Sequence, residues 1–489
     1  MNGFLSGKLN ARKSSVLAFA FLTLAFSLRV IFLNSNDIAL DEPFTLYWAG
    51  KSIPEIAGLA MEENNPPLHF LIQHFWLELF GTDADLQRWP SMIFGLLTVF
   101  FLVRLAASRI SLFGGISAGL LITFSTEHLY YSHEARTYTL LCFLTVLAIA
   151  CTLAIIDKPS ESRNYFFLAG ICLLLTYTHY LSLWIFIAMA ISWFIYGKPR
   201  DNFVKLIFPG LLFIAGFLPL AWAALFRLKH MNATGTWVPE AEFSQLYGHI
   251  NIMLNDRVSA SIIGGLILFL FALSIKASSI KQSFDQLFKS KDFAVFSIWF
   301  GCLYLGLFLQ SILFQPVFLP RYLIFSSIPL FLLLSLVLSN LSKKSVFQWL
   351  SLALVCIAMI FTFDINPGNN RNMKELITTV NRQIDGDAVV IICPASFDLA
   401  YAYHAFPDMF YGQTHIKTAL AKKGIFAVNY VREIPGSELN SGREIVFLDS
   451  DAAFTVPENG ILAKLKANRK QDSMIAIPGI FKVYKFSKN

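Results

Sequence analysis

The chain has 489 residues, of which 55% are hydrophobic and only 15% charged, with a mean hydropathy of +0.57 and a formal net charge of +7. An ordinary soluble domain carries about 25% charged residues, and soluble cores of growing size split into domains, so a soluble globular protein is excluded. The positive balance lies in short loops between apolar runs, with no clustered basic stripe, which excludes a nucleic-acid surface.

In chain order, MNGFLSGKLNARKSS leads into an apolar run that continues through Arg29 to Leu33 without a small-residue cleavage site. It reads as an uncleaved first span. Runs such as SVLAFAFLTLAF, GLILFLFALSI and LFLLLSLVL extend with their neighbours far enough to cross a hydrocarbon layer of ~30 Å. About eleven spans are expected, over 15–33, 90–107, 110–126, 138–156, 165–179, 181–197, 203–226, 258–275, 293–314, 322–340 and 346–363. The fifth and sixth divide at Thr178-His179-Tyr180.

Loops on the N-terminal side hold Arg104 and Arg109, then Lys158 and Arg163, then Lys198, Arg200 and Lys205. Lys276, Lys281, Lys289 and Lys291 follow, and finally Lys343 and Lys344. Every one of these loops is basic, which sets them inside, on the cytoplasmic side of the membrane. Six cysteines, five of them within apolar runs, suggest neither a disulfide framework nor a metal site.

Three segments then lie outside. Segment 34–89 contains LHFLIQHFWLELFG, too short to span and rich in aromatic residues, which fits an interfacial helix. Segment 227–257 carries a turn-rich loop from Asn232 to Pro239, whose formal glycosylation triplet is of a kind common by chance. In segment 364–489, KELITTVNRQI predicts an amphipathic helix, DAVVIICP and REIVFLD short buried strands, and MIAIPGIFKVYKF a terminal strand pair. The expected fold class is a polytopic α-helical membrane protein, with residues 1–363 as the membrane domain and 364–489 as a small outer α/β domain.

Four outer motifs could carry chemistry. Leu40-Asp41-Glu42-Pro43 places two carboxylates just beyond the first span. The pair suits a helix N-terminus, and equally a general base that takes a proton from an acceptor hydroxyl. Glu63-Asn64-Asn65-Pro66-Pro67-Leu68-His69 precedes the interfacial stretch, where one proline is a helix-start signal. Tyr130-Tyr131-Ser132-His133-Glu134-Ala135-Arg136-Thr137-Tyr138 puts His, Glu and Arg at headgroup depth, either as a solvated loop or as paired and functional groups. Leu319-Pro320-Arg321-Tyr322 offers a guanidinium as interface anchor or as a forked phosphate donor.

Taken together, DEPFTLYWAG, NNPPLHFLIQHFWLELFG, LQRWPSMIFGLLTVFFL, YYSHEARTYTLLCFL and LPRYLIF stand in the order seen in membrane transferases of the GT-C type. They resemble the bacterial branch of the dolichyl-phosphate-mannose protein mannosyltransferase family, which includes lipid A aminoarabinose and galacturonic acid transferases. The resemblance is strong over 1–200, patchy to 345 and weak beyond. It implies an inverting glycosyltransferase that moves a sugar from a polyprenyl-phosphate donor to an acceptor lipid, protein or glycan on the periplasmic face.

The resemblance also implies roles. Asp41 is the catalytic base, beside Glu42, and Glu134 helps arrange the site. Arg136 and Arg321 hold the donor phosphate, with Arg88 and His133 behind them. Tyr322, Asn65, Pro66, Pro67 and His69 complete the substrate-binding set. Some relatives have a basic residue where this chain has Asn65, so other groups must hold the phosphate. A lipid phosphate is already a good leaving group, so one carboxylate and a few cations suffice, and no cofactor is expected. A divalent cation could assist the leaving phosphate, as in some GT-C enzymes, but no second acidic cluster demands it. Membrane lipids are the remaining partner, and nucleic acid is not one.

Two other classes compete. A transporter or flippase would place paired charges at mid-bilayer and use broken helices in matched halves. A non-catalytic glycan-assembly protein would need only the outer domain, and leaves the Asp-Glu pair without a purpose.

Overall fold

The computed structural model describes residues 2–230, 238–276, 278–340, 345–384, 388–412 and 415–487. Most of the turn-rich loop at Asn232 and the basic pair Lys343 and Lys344 lie outside the described residues. The chain forms two compact units. One comprises Met1–Leu33, Pro54–Ile72 and Arg88–Pro367; the other comprises Asn34–Ile53, Gln73–Gln87 and Gly368–Asn489.

The first part of the chain is helical throughout: α1 (Asn2–Ile31), α2 (Glu42–Ala49), α3 (Ile53–Glu62), α4 (Leu68–Phe80), α5 (Trp89–Arg109), α6 (Leu112–Thr123), α7 (Thr126–Ser132), α8 (Tyr138–Asp157), α9 (Ser162–Thr178), α10 (Ser182–Tyr196) and α11 (Pro199–His230). Apolar helices follow over Arg257–Lys276, Lys291–Phe300, Gly306–Leu313, Ser327–Asn340 and Ser345–Phe361. Each apolar segment expected from the sequence is therefore helical, and the break at Thr178-His179-Tyr180 separates α9 from α10.

Among the described residues six helices are long and apolar enough to cross a membrane, or seven if Phe243–Met253 and Arg257–Leu273, bent by 93°, form one broken span. The protein is a multi-pass membrane protein. Helices α6 and α10, with 12 and 15 residues, fall short of the ~20 that a straight crossing takes. Hydropathy alone does not distinguish such a helix from a full span.

Within the helical unit α8 is the most enclosed spanning helix, packed by α5, α9 and α10. Glycines set the closest approaches. A Cβ on Gly95 of α5 would collide with the Ser132 side chain at the end of α7, so only glycine lets these two elements meet. Phe203, Val204, Phe208, Leu211, Trp222 and Leu228 of α11 are exposed, a face that lipid would cover. Pro209 and Pro219 inside this helix are tolerated in membrane helices because neighbouring groups re-satisfy the freed carbonyls. At the other end of the bundle Arg109 closes α5 by pairing with Asp157, the last residue of α8, and with Asp292, to which its Nε donates at 2.8 Å. Three helix ends that the basic-loop pattern places on one side do meet.

The second unit is α/β. Its five-stranded sheet has strands β1 (Val389–Cys393), β2 (Ile425–Ala427), β3 (Ile445–Ser450), β4 (Gln471–Ala476) and β5 (Phe481–Phe486), in the order β2-β1-β3-β5-β4. β1 runs parallel to β2 and β3, while β5 is antiparallel to β3 and β4. Every residue of β1 is buried, the pattern of a parallel strand covered on both faces. The expected amphipathic helix is Met373–Gln383, which buries Met373, Leu376, Ile377 and Val380 at helical spacing. The expected strands are present; β2, with three residues, is too short to be read from sequence.

Segment Asn34–Ile53 is built into this unit. The Asp37 carboxylate accepts the Lys374 backbone N–H at 2.9 Å at the start of helix Met373–Gln383, and pairs with Lys374 Nζ at 3.5 Å. Asn369 donates its side-chain amide to the Asp37 carbonyl at 2.9 Å. Tyr47 of α2 packs edge-on against Phe410, with ring centroids 5.8 Å apart. In the same unit His74 Nδ1 bonds the Ala49 carbonyl at 2.8 Å, and Trp76 donates to the Leu86 carbonyl at 2.8 Å.

Candidate functional site

Asp41 sits in a turn that the sequence makes tight. Leu40 before it has φ 54°, a left-handed conformation rare for a branched side chain, and such strain persists only where surroundings impose it. Here they do. His404 donates Nε2–H to the Ile38 carbonyl at 2.7 Å, and Glu42 accepts the Ala39 N–H at 3.3 Å. Pro43 in the first turn of α2 is pre-set for helix. Asp41 occupies the position before the helix, yet its side chain makes no capping hydrogen bond. Glu42 is buried, whereas Asp41 is half-buried. The two carboxylates therefore differ: Glu42 closes the turn, and Asp41 is not used as the helix cap.

The basic candidates belong to the helical unit. Arg88 precedes α5, is buried, and donates to the Leu33 carbonyl at 3.1 Å. His133 ends α7 and donates Nε2–H to the Arg29 carbonyl at 2.6 Å, so both residues tie the end of α1. Arg136 is fixed through its backbone: Ser91 Oγ donates to its carbonyl at 3.0 Å and accepts its N–H at 3.2 Å. Its N–H also reaches the Glu134 carbonyl at 2.7 Å, and Glu134 itself is half-buried.

Arg136 bears electrostatically on two imidazoles, His69 in the first turn of α4 and His179 between α9 and α10. Burial, reinforced by the Arg136 charge, pushes His69 down to about 3, so the ring is neutral at physiological pH. Arg321 also bears on His179, and its guanidinium lies 5.3 Å from the Tyr322 ring centroid. Tyr322 in turn packs edge-on against His179 at 5.5 Å.

The structure thus brings Arg136, Arg321 and Tyr322 together around His179, with His69 beside Arg136, and Arg88 and His133 around the end of α1. Asn65, Pro66 and Pro67 form the entry to α4, where the Pro67 carbonyl accepts the Leu71 N–H at 3.0 Å and so sets where His69 lies. Asp41 and Glu42 belong to the other unit. Among the described residues no group of three or more His, Cys, Asp or Glu side chains is arranged to hold a metal ion.

Residues 64–224 match the family model of the dolichyl-phosphate-mannose-protein mannosyltransferases. The apo crystal structure of ArnT from Cupriavidus metallidurans superposes with a TM-score of 0.60 at 12% identity, covering 96% of this chain and 97% of that one. The chain has the GT-C glycosyltransferase fold. ArnT bound to undecaprenyl phosphate gives the same TM-score of 0.60 at 11% identity over 96% and 97% of the two chains. The archaeal oligosaccharyltransferase AglB from Archaeoglobus fulgidus, solved with an inhibitory peptide and a dolichol-phosphate, gives 0.52 at 12% identity over 97% and 74%. No curated protein sequence matches the chain. The fold expected from the resemblance is shown, and the family-model match agrees with it over residues 64–224. The family-model match takes in His69, Arg88, His133, Glu134 and Arg136, and leaves out Asp41 and Arg321.

Sequence reading missed three groups in this GT-C fold. Arg29 is fully buried and donates to Ser132 Oγ at 3.3 Å and to the Ile122 carbonyl at 3.5 Å. A charge inside an apolar run was its signal. His179 was visible only as a polar break between two spans. Glu127 and His128 of α7 are buried, with His128 Nε2 bonded to Ser327 Oγ at 2.7 Å. Burial raises the Glu127 carboxyl to about 8. Only the folded arrangement shows these groups to be enclosed.

Proposed function

We propose that the protein is an inverting glycosyltransferase whose donor is a polyprenyl-phosphate sugar and whose acceptor is a hydroxyl of a lipid, protein or glycan at the periplasmic face of a bacterial inner membrane. The reading is carried by the convergence of Arg136, Arg321, His69 and His179 from four chain-distant segments within a GT-C fold. The ligands of the similar structures, undecaprenyl phosphate for ArnT and dolichol-phosphate for AglB, support the same donor class.

The chemistry balances without further components. Asp41 takes the proton of the acceptor hydroxyl as its oxygen attacks the anomeric carbon. The bond from that carbon to the phosphate oxygen breaks, and polyprenyl phosphate leaves with the electron pair. Arg136 and Arg321 offer forked, charge-assisted donors to the phosphate, where charge grows in the transition state. Arg88 and His133 stand behind them, Glu134 shapes the segment that carries Arg136, and the scheme requires no metal. A transporter would place its charged pairs at mid-bilayer, whereas Arg136 and Arg321 stand at helix ends.

The test is incubation of the purified protein with a panel of radiolabelled polyprenyl-phosphate sugars, following label into lipid, protein and glycan fractions. Release of polyprenyl phosphate with label in one acceptor fraction is expected. Intact donor across the whole panel would contradict the proposal.

A further inference from the structure

The α/β unit holds an open cavity of about 480 Å³, within the ~300–1,000 Å³ range of small-molecule sites. Its walls come from Thr82 and Ala84 and from Tyr403, His404, Asp408 and Tyr411 on helices Asp398–Ala405 and Pro407–Gly412. The aromatic wall is rigid. Phe410 is fully buried and meets the Tyr403 ring at 5.2 Å and the Tyr411 ring at 5.0 Å, each at 87°. Edge-to-face contacts of this kind fix both tyrosine rings from behind.

The polar groups are arranged differently from those of the basic cluster. The Tyr411 hydroxyl oxygen is buried and has no hydrogen-bond partner among the described residues, a costly state unless something supplies one. His404 gives Nε2–H to Ile38, which leaves Nδ1 as an acceptor, and burial holds the ring below its ordinary pKa. Asp408 is exposed and is the one charged residue among those lining the cavity.

We propose that this cavity binds the sugar ring of a neutral, hydroxyl-rich glycan. The apolar C–H face of a pyranose stacks on the tyrosine rings, while its hydroxyls donate to Asp408 and His404 and pair with the Tyr411 hydroxyl. A phosphate or other anion meets no cation on these walls and is repelled by the carboxylate. A hydrocarbon chain would leave the carboxylate, the imidazole and the buried hydroxyl unsatisfied. A sugar alternates apolar and hydroxyl surface as the cavity does. The inference rests on the transfer reading only in that such a glycan would be part of the acceptor.

The test uses the full chain in lipid nanodiscs, because the head groups of maltoside detergents would compete. Maltose, cellobiose, chitobiose and mannobiose are each examined by saturation-transfer difference NMR while aromatic protein resonances are irradiated. Transfer to ring protons of at least one disaccharide is expected. Its dissociation constant should rise about tenfold in Asp408→Asn, as loss of a charge-assisted hydrogen bond implies, and should also rise in Tyr411→Phe. Asp408 is exposed, so its variant keeps the fold, and an unchanged melting temperature confirms that. Absence of transfer to every disaccharide, or binding unchanged in both variants, would overturn the inference. Saccharide binding by a protein that uses no polyprenyl-phosphate sugar would remove the transfer reading and leave this one. Donor use without saccharide binding would do the reverse.

Discussion

The imidazole of His404 donates its Nε2–H to the backbone carbonyl of Ile38 at 2.7 Å, three residues before Asp41. A carbonyl can only accept, so the bond fixes the tautomer as well as the position of the turn. Asp37, one residue earlier, is held by Lys374 on the other side. The left-handed Leu40 and the half-buried Asp41 follow directly from this anchor.

On the proposed mechanism, His404 positions Asp41. His404→Ala should lower kcat roughly tenfold, the weight of one lost hydrogen bond that aligns a catalytic group, and leave the donor KM unchanged. His404→Gln, which can present an N–H from the same place, should restore most of it. Steady-state kinetics on the three proteins check this, and an equal loss in both variants would remove the positioning role.

Arg136 and Arg321 should be felt in donor use. Loss of a charged phosphate contact costs about 1.5–3 kcal/mol, so Arg136→Ala and Arg321→Ala should each weaken apparent donor affinity about tenfold or more. Lysine at either position keeps the charge without the fork and should fall between. Donor titrations at saturating acceptor distinguish these cases, and full activity in both alanine variants would take them out of the site.

Two buried groups outside the spans give opposite pH dependence. Glu127 titrates near 8 in the folded protein because burial disfavours its charge, against an ordinary 4.5. Its contribution to stability is complete below about pH 4.5 and is lost as pH rises to 8. His69 is lowered from 6.5 to about 3, so its contribution is complete above pH 6.5 and is lost as pH falls towards 3. Glu127→Gln should gain melting temperature relative to the parent as pH rises from 5 to 9, within the window Glu127 sets. His69→Gln should lose less than the parent between pH 6.5 and 4. Melting curves across pH in one detergent decide both, and parallel curves would contradict the assignments.

The orientation can be tested at exposed sites. Asn64, Lys417 and Asp285 are all exposed, so a cysteine at each would be reachable from its own side of the membrane. A membrane-impermeant maleimide added to intact cells should label cysteine at 64 and 417, and label 285 only after lysis. Labelling of 285 in intact cells would invert the topology.

What the sequence reveals follows its physical periodicities. The apolar helices, the break at His179, the amphipathic helix Met373–Gln383 and the strands around VVIIC and IVFLD all repeat a local pattern long enough to read. The short strand β2 has too few residues for any pattern. The grouping of Asn34–Ile53 with the C-terminal α/β region rests on contacts hundreds of residues apart, such as Asp37 with Lys374, and nothing local foretells it. At the candidate site, motif order pointed to Arg136 and Arg321, but the shared neighbour His179 and the buried Arg29 are products of tertiary packing.

The central claim is that Asp41 is the proton acceptor, and Asp41→Asn tests it most directly. Asparagine keeps the shape and hydrogen-bonding reach but cannot take the proton. Because asparagine matches aspartate in size at this half-buried position, the substitution should leave melting temperature and binding of the polyprenyl-phosphate donor near the parent values. Turnover of that donor should fall by roughly 10²–10⁴, the usual contribution of a general base, with Glu42→Gln less severe. An Asp41→Asn protein that folds normally and turns over at the parent rate would contradict the mechanism and leave only the GT-C fold in place.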